Sequence, residues 1–310
     1  MVSRAGGSDR RVTLHGWLIL DKPLGLGSTQ GVSAAKRALR NGGYGKAKVG
    51  HGGTLDPLAT GVLPIAIGEA TKLAGRMLDS DKVYDFTIRF GEQTDTLDAE
   101  GKVIATSDVR PTASQLETVL PRFTGPIAQV PPAYSALKVD GQRAYDLARA
   151  GEEVVLATRD VTIHALTLAT PPGDDPLHDA TLTAHVSKGT YIRSLARDIA
   201  LALGTVGHVT YLRRTKAGPF TLDQAITLDK LDEIAKARSL EHSLLPLSAG
   251  LDDIPALALT PDQAGALRQG RVLAGIAADD GQAFAMLGVL PVALVEVEHG
   301  SVRVVRGFNL

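Results

Sequence analysis

The sequence predicts an α+β fold whose main sheet is mixed, mainly antiparallel and flanked by helices. Residues 83–90 alternate apolar and polar side chains, which is typical of a half-buried strand. Residues 154–168 and 181–186 alternate in the same way, and helical segments are interleaved with them irregularly. Hairpin-like alternation therefore dominates, which favours this fold over a doubly wound parallel sheet. The apolar face of the first of these strands carries Tyr84, Phe86, Ile88 and Phe90.

The N-terminal part of the chain predicts a strand followed by a helix. A flexible basic leader over residues 1–14 precedes a short apolar strand over 16–21, which ends in the turn Lys22-Pro23-Leu24-Gly25. Either Ser28 or Thr29 is suited to cap a helix that runs to about residue 40. One face of that helix is apolar, through Val32, Ala35 and Leu39.

The remainder predicts further elements of the main domain and a small β-rich domain. The main-domain elements are helices over 112–123, 191–203 and 225–236 and a strand over 208–213. Leu251-Asp252-Asp253-Ile254-Pro255 is the best boundary, between a main domain over 15–250 and a small one over 255–310. Because about 55 residues are few for an independent core, we expect the small domain to lean on the main one. Its predicted elements are a helix over 261–269 and strands near 282–287, 292–297 and 302–305.

Composition excludes several classes of function. The chain has 310 residues, of which 44% are apolar, and no cysteine, which rules out disulfides, thiolate catalysis and iron–sulfur clusters. No apolar run approaches the about 20 residues that span a bilayer, so a cytoplasmic protein without membrane contact is predicted. The eight histidines are scattered and no phosphate-binding glycine motif is present, so neither a metal site nor a nucleotide cofactor is predicted.

The overall charge of −1 hides a basic N-terminal region. Residues 1–52 contain nine Lys or Arg and two Asp, which gives them a formal charge of +7, whereas the rest of the chain carries −8. A basic face on a nearly neutral protein binds a polyanion locally. A solvated helix face is the alternative explanation. The basic side chains in question are those of Lys36, Arg37, Arg40, Lys46 and Lys48.

Residues 52–61, Gly-Gly-Thr-Leu-Asp-Pro-Leu-Ala-Thr-Gly, are the strongest candidate for a functional loop. They lie between a basic glycine-rich loop over 45–53 and an apolar run over 62–67 that predicts a buried strand. Glycine and proline restrict such a loop to particular backbone shapes, so Asp56 is presented in a fixed place. A turn in which Asp56 only caps the backbone is the alternative.

Other motifs accompany this loop in a recognisable order. They are Leu20-Asp21-Lys22-Pro23, Val49-Gly50-His51, Gly68-Glu69-Ala70-Thr71-Lys72, Thr94-Asp95-Thr96-Leu97-Asp98, the run from Val130 to Lys138, Ser187-Lys188-Gly189-Thr190-Tyr191-Ile192-Arg193 and the run from His208 to Arg214. Together they resemble the bacterial TruB-type tRNA pseudouridine synthases over roughly residues 15–250. The resemblance implies a pseudouridine synthase fold followed by a small PUA-like domain.

The family resemblance also implies an activity. Family members isomerise uridine 55 in the T-loop of tRNA to pseudouridine without a cofactor or a metal. The implied partner is the T-arm stem-loop of tRNA, with no obligate protein partner, and we expect a monomer. A non-catalytic tRNA-binding or RNA-folding protein that uses the same cleft is the main alternative. A hydrolase that uses two carboxylates on a small glycoside is a weaker one.

Three residues take the central roles by this resemblance. Asp56 matches the essential aspartate, Tyr84 matches the tyrosine that stacks on the target base, and Arg193 matches the arginine that pairs with the aspartate. The chemistry agrees, because a partly desolvated carboxylate needs a counter-charge and a guanidinium binds both of its oxygens. For Tyr84, a place in the apolar core is the alternative.

Five more residues receive supporting roles. The resemblance places Tyr191 and Leu212 in the pocket wall, and His51 against the T-loop where the flipped base leaves a gap. It places Lys22 and Lys72 in the catalytic cleft. One departure is the residue after His51, where the family usually has Thr or another small residue. Here that residue is Gly52 and Gly53 follows it, which predicts a more flexible loop.

Overall fold

The computed structural model describes residues 12–135, 137–139, 141–151, 154, 156–169 and 173–310, and residues 1–11 of the predicted leader lie outside them. The strands of the first half are β1 (Gly16–Lys22), β2 (Val49–His51), β3 (Thr60–Ile67), β4 (Lys82–Phe90), β5 (Glu92–Thr94), β6 (Val103–Thr106), β7 (Gly125–Gln129), β8 (Lys138–Val139) and β9 (Gln142–Arg143). The helices among them are α1 (Ser28–Asn41), α2 (Ala74–Asp79), α3 (Ala113–Val119) and α4 (Ala144–Arg149).

The second half continues the main sheet and then builds a smaller one. Its strands are β10 (Arg159–Leu168), β11 (Asp179–Val186), β12 (Gly207–Ala217), β13 (Phe220–Thr221), β14 (Ala256–Ala258), β15 (Gly281–Leu287), β16 (Leu290–Glu298) and β17 (Ser301–Gly307). Its helices are α5 (Ile192–Ala202), α6 (Leu228–Ala237) and α7 (Pro261–Arg268).

The main sheet is mixed and mainly antiparallel, as the sequence predicts. Its strands follow the order β1-β3-β12-β4-β11-β10-β7, with β2 added beside β3 and β13 beside β12. Only the contact between β3 and β12 is parallel in this described path, and it joins Thr60 and Gly61 to Arg213 and Arg214. That contact brings the end of the loop over residues 52–61, which carries Asp56, next to a basic strand from late in the chain.

Helices cover the main sheet and complete its core. The apolar side of α5 packs with Phe86, Ile88 and Phe90 of β4, whose alternation matches the predicted face. In a second core cluster, α1 packs against α6. The apolar residues of α1 are buried there, whereas its basic residues are exposed. These contacts fix both α1 and the first turn of α5 relative to the sheet.

The β-rich C-terminal segment leans on the main sheet, as its small size predicts. Phe284 and Phe308 belong to the same buried cluster as Trp17 and Ile19 of β1. The Lys72 ammonium also donates a 2.8 Å hydrogen bond to the carbonyl oxygen of Gly307. Apolar burial and polar links therefore both join this sheet, with strand order β14-β15-β16-β17, to the rest of the chain.

Several predicted boundaries differ from the structure for local reasons. Neither Ser28 nor Thr29 caps α1, because Gly27 occupies the N-cap position. The strand predicted from residue 154 begins only at Arg159, where pairing with Gln129 of β7 begins. The helix predicted from residue 225 begins at Leu228, because the Thr227 hydroxyl accepts from the backbone N–H of Lys230 and caps it there.

Two other predictions need smaller changes. The helix predicted over 112–123 is α-helical only to Val119 and continues as a 3₁₀ turn, Leu120–Phe123, which contains Pro121. The basic loop over 45–53 contains the short strand β2, which pairs with β3. No helix among the described residues is long and apolar enough to cross a membrane.

Gly61 is expected to be essential for the contact between β3 and β12. Its φ is +100°, and a Cβ there would lie 2.2 Å from the Arg214 carbonyl oxygen. Gly61→Ala should therefore lower the free energy of unfolding by about 2–4 kcal/mol, through backbone strain and displacement of β12. Thermal or urea unfolding measures this. Gly50→Ala is the control, because nothing lies within 4 Å of a Cβ at that position; equal losses in the two variants would contradict the steric reason.

Candidate active site

A cleft of about 300 Å³ opens where the Asp56 loop meets β4, β12 and the turn before α5. This volume is at the lower end of the range for ligand pockets, about 300–1,000 Å³. Five of the residues predicted to form the site line it, although they come from four separate segments of the chain. They are Asp56, Tyr84, Tyr191, Arg193 and Leu212.

The Arg193 guanidinium joins two carboxylates at this cleft. Its Nη2 lies 2.8 Å from Oδ2 of Asp56, and its Nη1 lies 3.3 Å from Oδ2 of Asp98. The side chains of Arg193 and Asp98 are only 6% and 4% exposed, whereas that of Asp56 is 41% exposed. Arg193 therefore holds a buried carboxylate on one side and presents an accessible one on the other.

Backbone carbonyl groups complete the binding of Arg193. Its Nη1 donates to the carbonyl oxygen of Thr96 at 2.9 Å, and its Nη2 donates to that of Tyr134 at 3.0 Å. The guanidinium is thus held by three groups besides Asp56, which are the Asp98 carboxylate and the carbonyl oxygens of Thr96 and Tyr134. Such preorganised charge is the arrangement that stabilises a reacting group most effectively.

Asp98 is the residue of this network to which the sequence gives no role in the site. Its segment forms a turn, in which Oδ1 of Asp98 accepts from the Thr96 hydroxyl at 2.6 Å and from the Glu100 N–H at 3.0 Å. The second oxygen remains for Arg193. No local pattern distinguishes Asp98 from Asp95, because only the fold brings one of them to α5.

Buried polar side chains hold the Asp56 loop from behind. Arg214 donates to the carbonyl oxygens of Gly53, Thr54 and Val62, at 3.2, 3.2 and 2.7 Å. Ser28 exchanges two hydrogen bonds with the backbone of Leu55, at 2.8 and 2.9 Å. This explains why Ser28 is buried instead of capping α1. Neither contact is predicted by the sequence, because each joins residues far apart in the chain.

Lys22 lies beneath the same loop instead of lining the cleft. Its ammonium donates to the carbonyl oxygens of Leu26, Pro23 and Pro57, at 2.6, 3.1 and 3.4 Å. Burial lowers the pKa of Lys22 to about 8, although the nearby Asp56 carboxylate opposes this shift. The structure therefore makes Lys22 a support of the loop at Pro57.

Local geometry explains why glycine occupies both positions after His51. A Cβ at Gly52 would lie 2.6 Å from the Cβ of Met77 on α2, so only glycine fits against that helix. Gly53 has a φ of +134°, which side chains rarely adopt. The flexibility predicted for this pair is therefore opposed by close packing at Gly52 and by the Arg214 hydrogen bond at Gly53.

Aromatic and aliphatic side chains form the walls of the cleft. Tyr84 lies near the start of β4, half-buried, and packs against the core from the cleft side. Tyr191 is held at the start of α5 by Gln129, whose side-chain amide donates to its carbonyl oxygen at 3.1 Å and accepts from its N–H at 2.8 Å. Burial raises the pKa of Tyr191, so its hydroxyl stays protonated at neutral pH.

A cationic side chain, that of Lys82, also lines the cleft. Lys82 is 7% exposed, with its ammonium donating to the carbonyl oxygens of Met77 and Leu78 at 2.9 and 2.8 Å and to that of Ser80. Burial, reinforced by Arg214, lowers the pKa of Lys82 to about 8. The sequence gives no role to Lys82. In the structure its ammonium binds carbonyl oxygens at the C-terminal end of α2, beside the cleft.

The remaining predicted residues lie outside the lining of the cleft. His51 ends β2, where burial and the Arg214 charge lower its pKa, and its Nδ1 is buried without a hydrogen-bond partner among the described atoms. Lys72 binds Glu69 at 2.6 Å and the carbonyl oxygen of Gly307 at 2.8 Å. The candidate phosphate-binding residues are exposed and have no ion pair within the described part of the chain: Lys36, Arg37, Arg40, Lys46 and Lys48.

Comparison with known proteins agrees with the predicted resemblance. The family model of the TruB family pseudouridylate synthase N-terminal domain matches residues 40–192, and that of the tRNA pseudouridylate synthase B C-terminal domain matches residues 193–252. These two matches meet within the first turn of α5, so each matched region contains residues that line the cleft.

Relatives and solved structures extend the match to nearly the whole chain. The chain is 68% identical to tRNA pseudouridine synthase B of Novosphingobium aromaticivorans, over 96% of this chain and 98% of the relative. It is 63% identical to the protein of that name from Zymomonas mobilis, over 96% of each chain. A crystal structure of a Cbf5-Nop10-Gar1 complex contains a chain that is 26% identical, with a TM-score of 0.68 over 91% of this chain and 78% of the other. The chain therefore belongs to the TruB family of pseudouridine synthases.

Proposed function

We propose that this protein converts uridine 55 in the T-loop of tRNA to pseudouridine, with Asp56 as the essential catalytic group. The observation that carries the proposal is the accessible carboxylate of Asp56, 2.8 Å from a buried guanidinium, in a cleft that also contains Tyr84. The relatives from Novosphingobium and Zymomonas are both named tRNA pseudouridine synthase B, which supports pseudouridine formation in tRNA. Position 55 and the role of Asp56 rest on the sequence resemblance and on this geometry.

The cleft suits a uracil that has left the base stack. Extrusion of a base from a folded loop costs a few kcal/mol, and stacking on an aromatic ring returns about 1–3 kcal/mol per base. Tyr84 supplies an aromatic ring on one wall, and Leu212 and Val186 supply apolar surface beside it. The polar edge of the base would then face the Asp56 carboxylate and the residues that hold it.

The reaction is an isomerisation and needs no added atoms. The bond between N1 of the uracil and C1′ of the ribose breaks, the base turns, and a bond forms between C5 and C1′. The proton on C5 leaves and N1 ends protonated. A fixed carboxylate serves this sequence by adding to the base or the ribose or by taking a proton. The Arg193 guanidinium, 2.8 Å from Oδ2 of Asp56, orients that carboxylate for the reaction.

Phosphate contacts on the basic N-terminal surface would position the tRNA. The side chains of Lys36, Arg37 and Arg40 project from the solvent face of α1, and Lys46 and Lys48 follow in the next loop. Because these charges are unpaired within the described residues, they are available to release counterions from RNA. We propose that the protein works on tRNA as a monomer in the cytoplasm.

Asp56→Asn tests the catalytic role directly. The variant should bind unmodified tRNA transcript with unchanged affinity but lose at least about 1,000-fold in turnover, because the amide is neither a nucleophile nor a base. Pseudouridine is measured in a T-arm stem-loop after incubation. Asp108→Asn, an exposed position between β6 and α3, is the control. Near-normal conversion by Asp56→Asn would refute the role, and tRNA binding without conversion by the wild type would favour the non-catalytic alternative.

Asp98→Asn tests whether the buried carboxylate positions Arg193. Losing one charged hydrogen bond of about 1.5–3 kcal/mol should lower kcat by about 10- to 100-fold while KM for tRNA changes little. Asp95→Asn is the matched control, since that carboxylate lies in the same turn and accepts from the Lys102 N–H without contacting Arg193. A rise in KM with unchanged kcat would contradict a positioning role.

Charge reversal on α1 tests the tRNA surface. Lys36→Glu combined with Arg40→Glu should weaken tRNA binding, and the slope of log affinity against log salt should fall by about 0.7–0.9 for each phosphate that the variant no longer binds. The cleft is unchanged, so kcat at saturating tRNA should be retained. Lys102→Glu combined with Arg122→Glu makes the same charge change at exposed residues elsewhere. Equal weakening by both pairs would show only a general effect of net charge.

A further inference from the structure

Three residues that are far apart in the sequence meet on the side of the main sheet opposite the cleft. They are Asp81, just before β4, His164 on β10 and His185 on β11, and their ligand atoms lie within 4.8 Å of one another. Nε2 of His164 lies 3.1 Å from Oδ2 of Asp81, and Nε2 of His185 lies 3.8 Å from the same oxygen. The scattered histidines of the sequence therefore include two that the fold makes neighbours.

A β-bulge brings His164 into this position. Ile163 pairs with Val186 and Ala165 pairs with His185, so His164 is an extra residue in β10. As a result His164 and Ala165 are both exposed, where a regular strand would turn one of them inward. Bulges often re-aim a side chain beside a functional site. Here the bulge places the two imidazole rings with centroids 4.8 Å apart and planes tilted by 49°.

We propose that Asp81, His164 and His185 bind a divalent transition-metal ion, with Zn²⁺ as the best match. Two imidazoles and one carboxylate are a common ligand set for this ion. Ligands on a tetrahedral Zn²⁺ at about 2.1 Å lie about 3.4 Å from one another, and the two observed distances to Asp81, 3.1 and 3.8 Å, lie on either side of that value.

The exposure of the cluster fits a site that is open to solvent. The side chains of His164, His185 and Asp81 are 37%, 43% and 48% exposed, so an ion can enter and water can occupy the fourth position. Both Nε2 atoms lie within 3.8 Å of one carboxylate oxygen, so a single ion could contact all three ligand atoms. A simple ion pair needs only one imidazole, and it is the competing explanation.

The proposed ion would stabilise the strands that form the cleft wall, from the opposite side of the sheet and without contacting the substrate. Lys82 follows Asp81 and Val186 follows His185, and both of these next residues line the cleft on the opposite side. The metal would therefore connect the start of β4 to β10 and β11. This role is structural, and the inference does not depend on the proposed reaction.

Calorimetric titration of the metal-free full chain with ZnCl₂ tests the site. One ion should bind per chain, and His164→Ala, His185→Ala and Asp81→Asn should each lose at least about tenfold in affinity, since even outer-shell changes at metal sites cost about 10–100-fold. His242→Ala is the matched control, because His242 is exposed beside the single carboxylate of Glu241, at 3.9 Å. It should keep the wild-type affinity.

Thermal unfolding supplies a second readout. Saturating Zn²⁺ should raise the Tm of the wild type but not that of the His164→Ala, His185→Ala double variant. In the presence of a chelator the two proteins should unfold at the same temperature, which shows that the exposed substitutions leave the fold intact. The proposal is overturned if the wild type does not bind Zn²⁺, or if the double variant binds it as tightly as the wild type.

Discussion

The site depends on one buried guanidinium that two carboxylates share. Arg193 is almost fully enclosed, so removing both of its acidic partners would leave a buried charge that costs several kcal/mol. The buried guanidinium therefore needs a counter-charge. Asp98 supplies one from inside the protein, and Asp56 supplies another from the cleft. Because Asp98 already neutralises the guanidinium, the orientation of Arg193 is set without Asp56. The accessible carboxylate is therefore placed against a rigid partner.

The Asp56 loop is fixed by its carbonyl groups more than by its side chains. Two cationic side chains from other segments donate hydrogen bonds to the loop: Lys22 to the carbonyl oxygen of residue 57, and Arg214 to those of residues 53 and 54. Between these positions, the Ser28 hydroxyl binds the backbone of Leu55. A loop of this kind carries many unpaired backbone acceptors, which must find donors when they are buried. The surrounding strands and α1 provide those donors, so the loop is rigid although it contains three glycines.

Much of the fold follows from periodicity, whereas much of the site does not. The alternation of β4 and the amphipathic spacing of α1 and α5 are local signals, and the structure agrees with them closely. The family motifs brought out Asp56, Tyr84, Tyr191, Arg193 and Leu212, which the cleft joins. The partners of these residues act across long separations, so a turn residue such as Asp98 and a supposed helix cap such as Ser28 carry no local sign of their contacts. Lys22 shows the reverse case, in which a motif residue supports the site from beneath it.

The parallel contact between β3 and β12 has a consequence for the order of events during synthesis. Arg214 binds the carbonyl oxygen of Thr54, a residue 160 positions earlier in the chain. At about 5–20 residues per second, a ribosome needs about 10–30 s to make the intervening polypeptide. The carbonyl oxygens of Gly53 and Thr54 therefore stay without the Arg214 donor for about half of translation, until β12, one of the last strands of the main sheet, emerges.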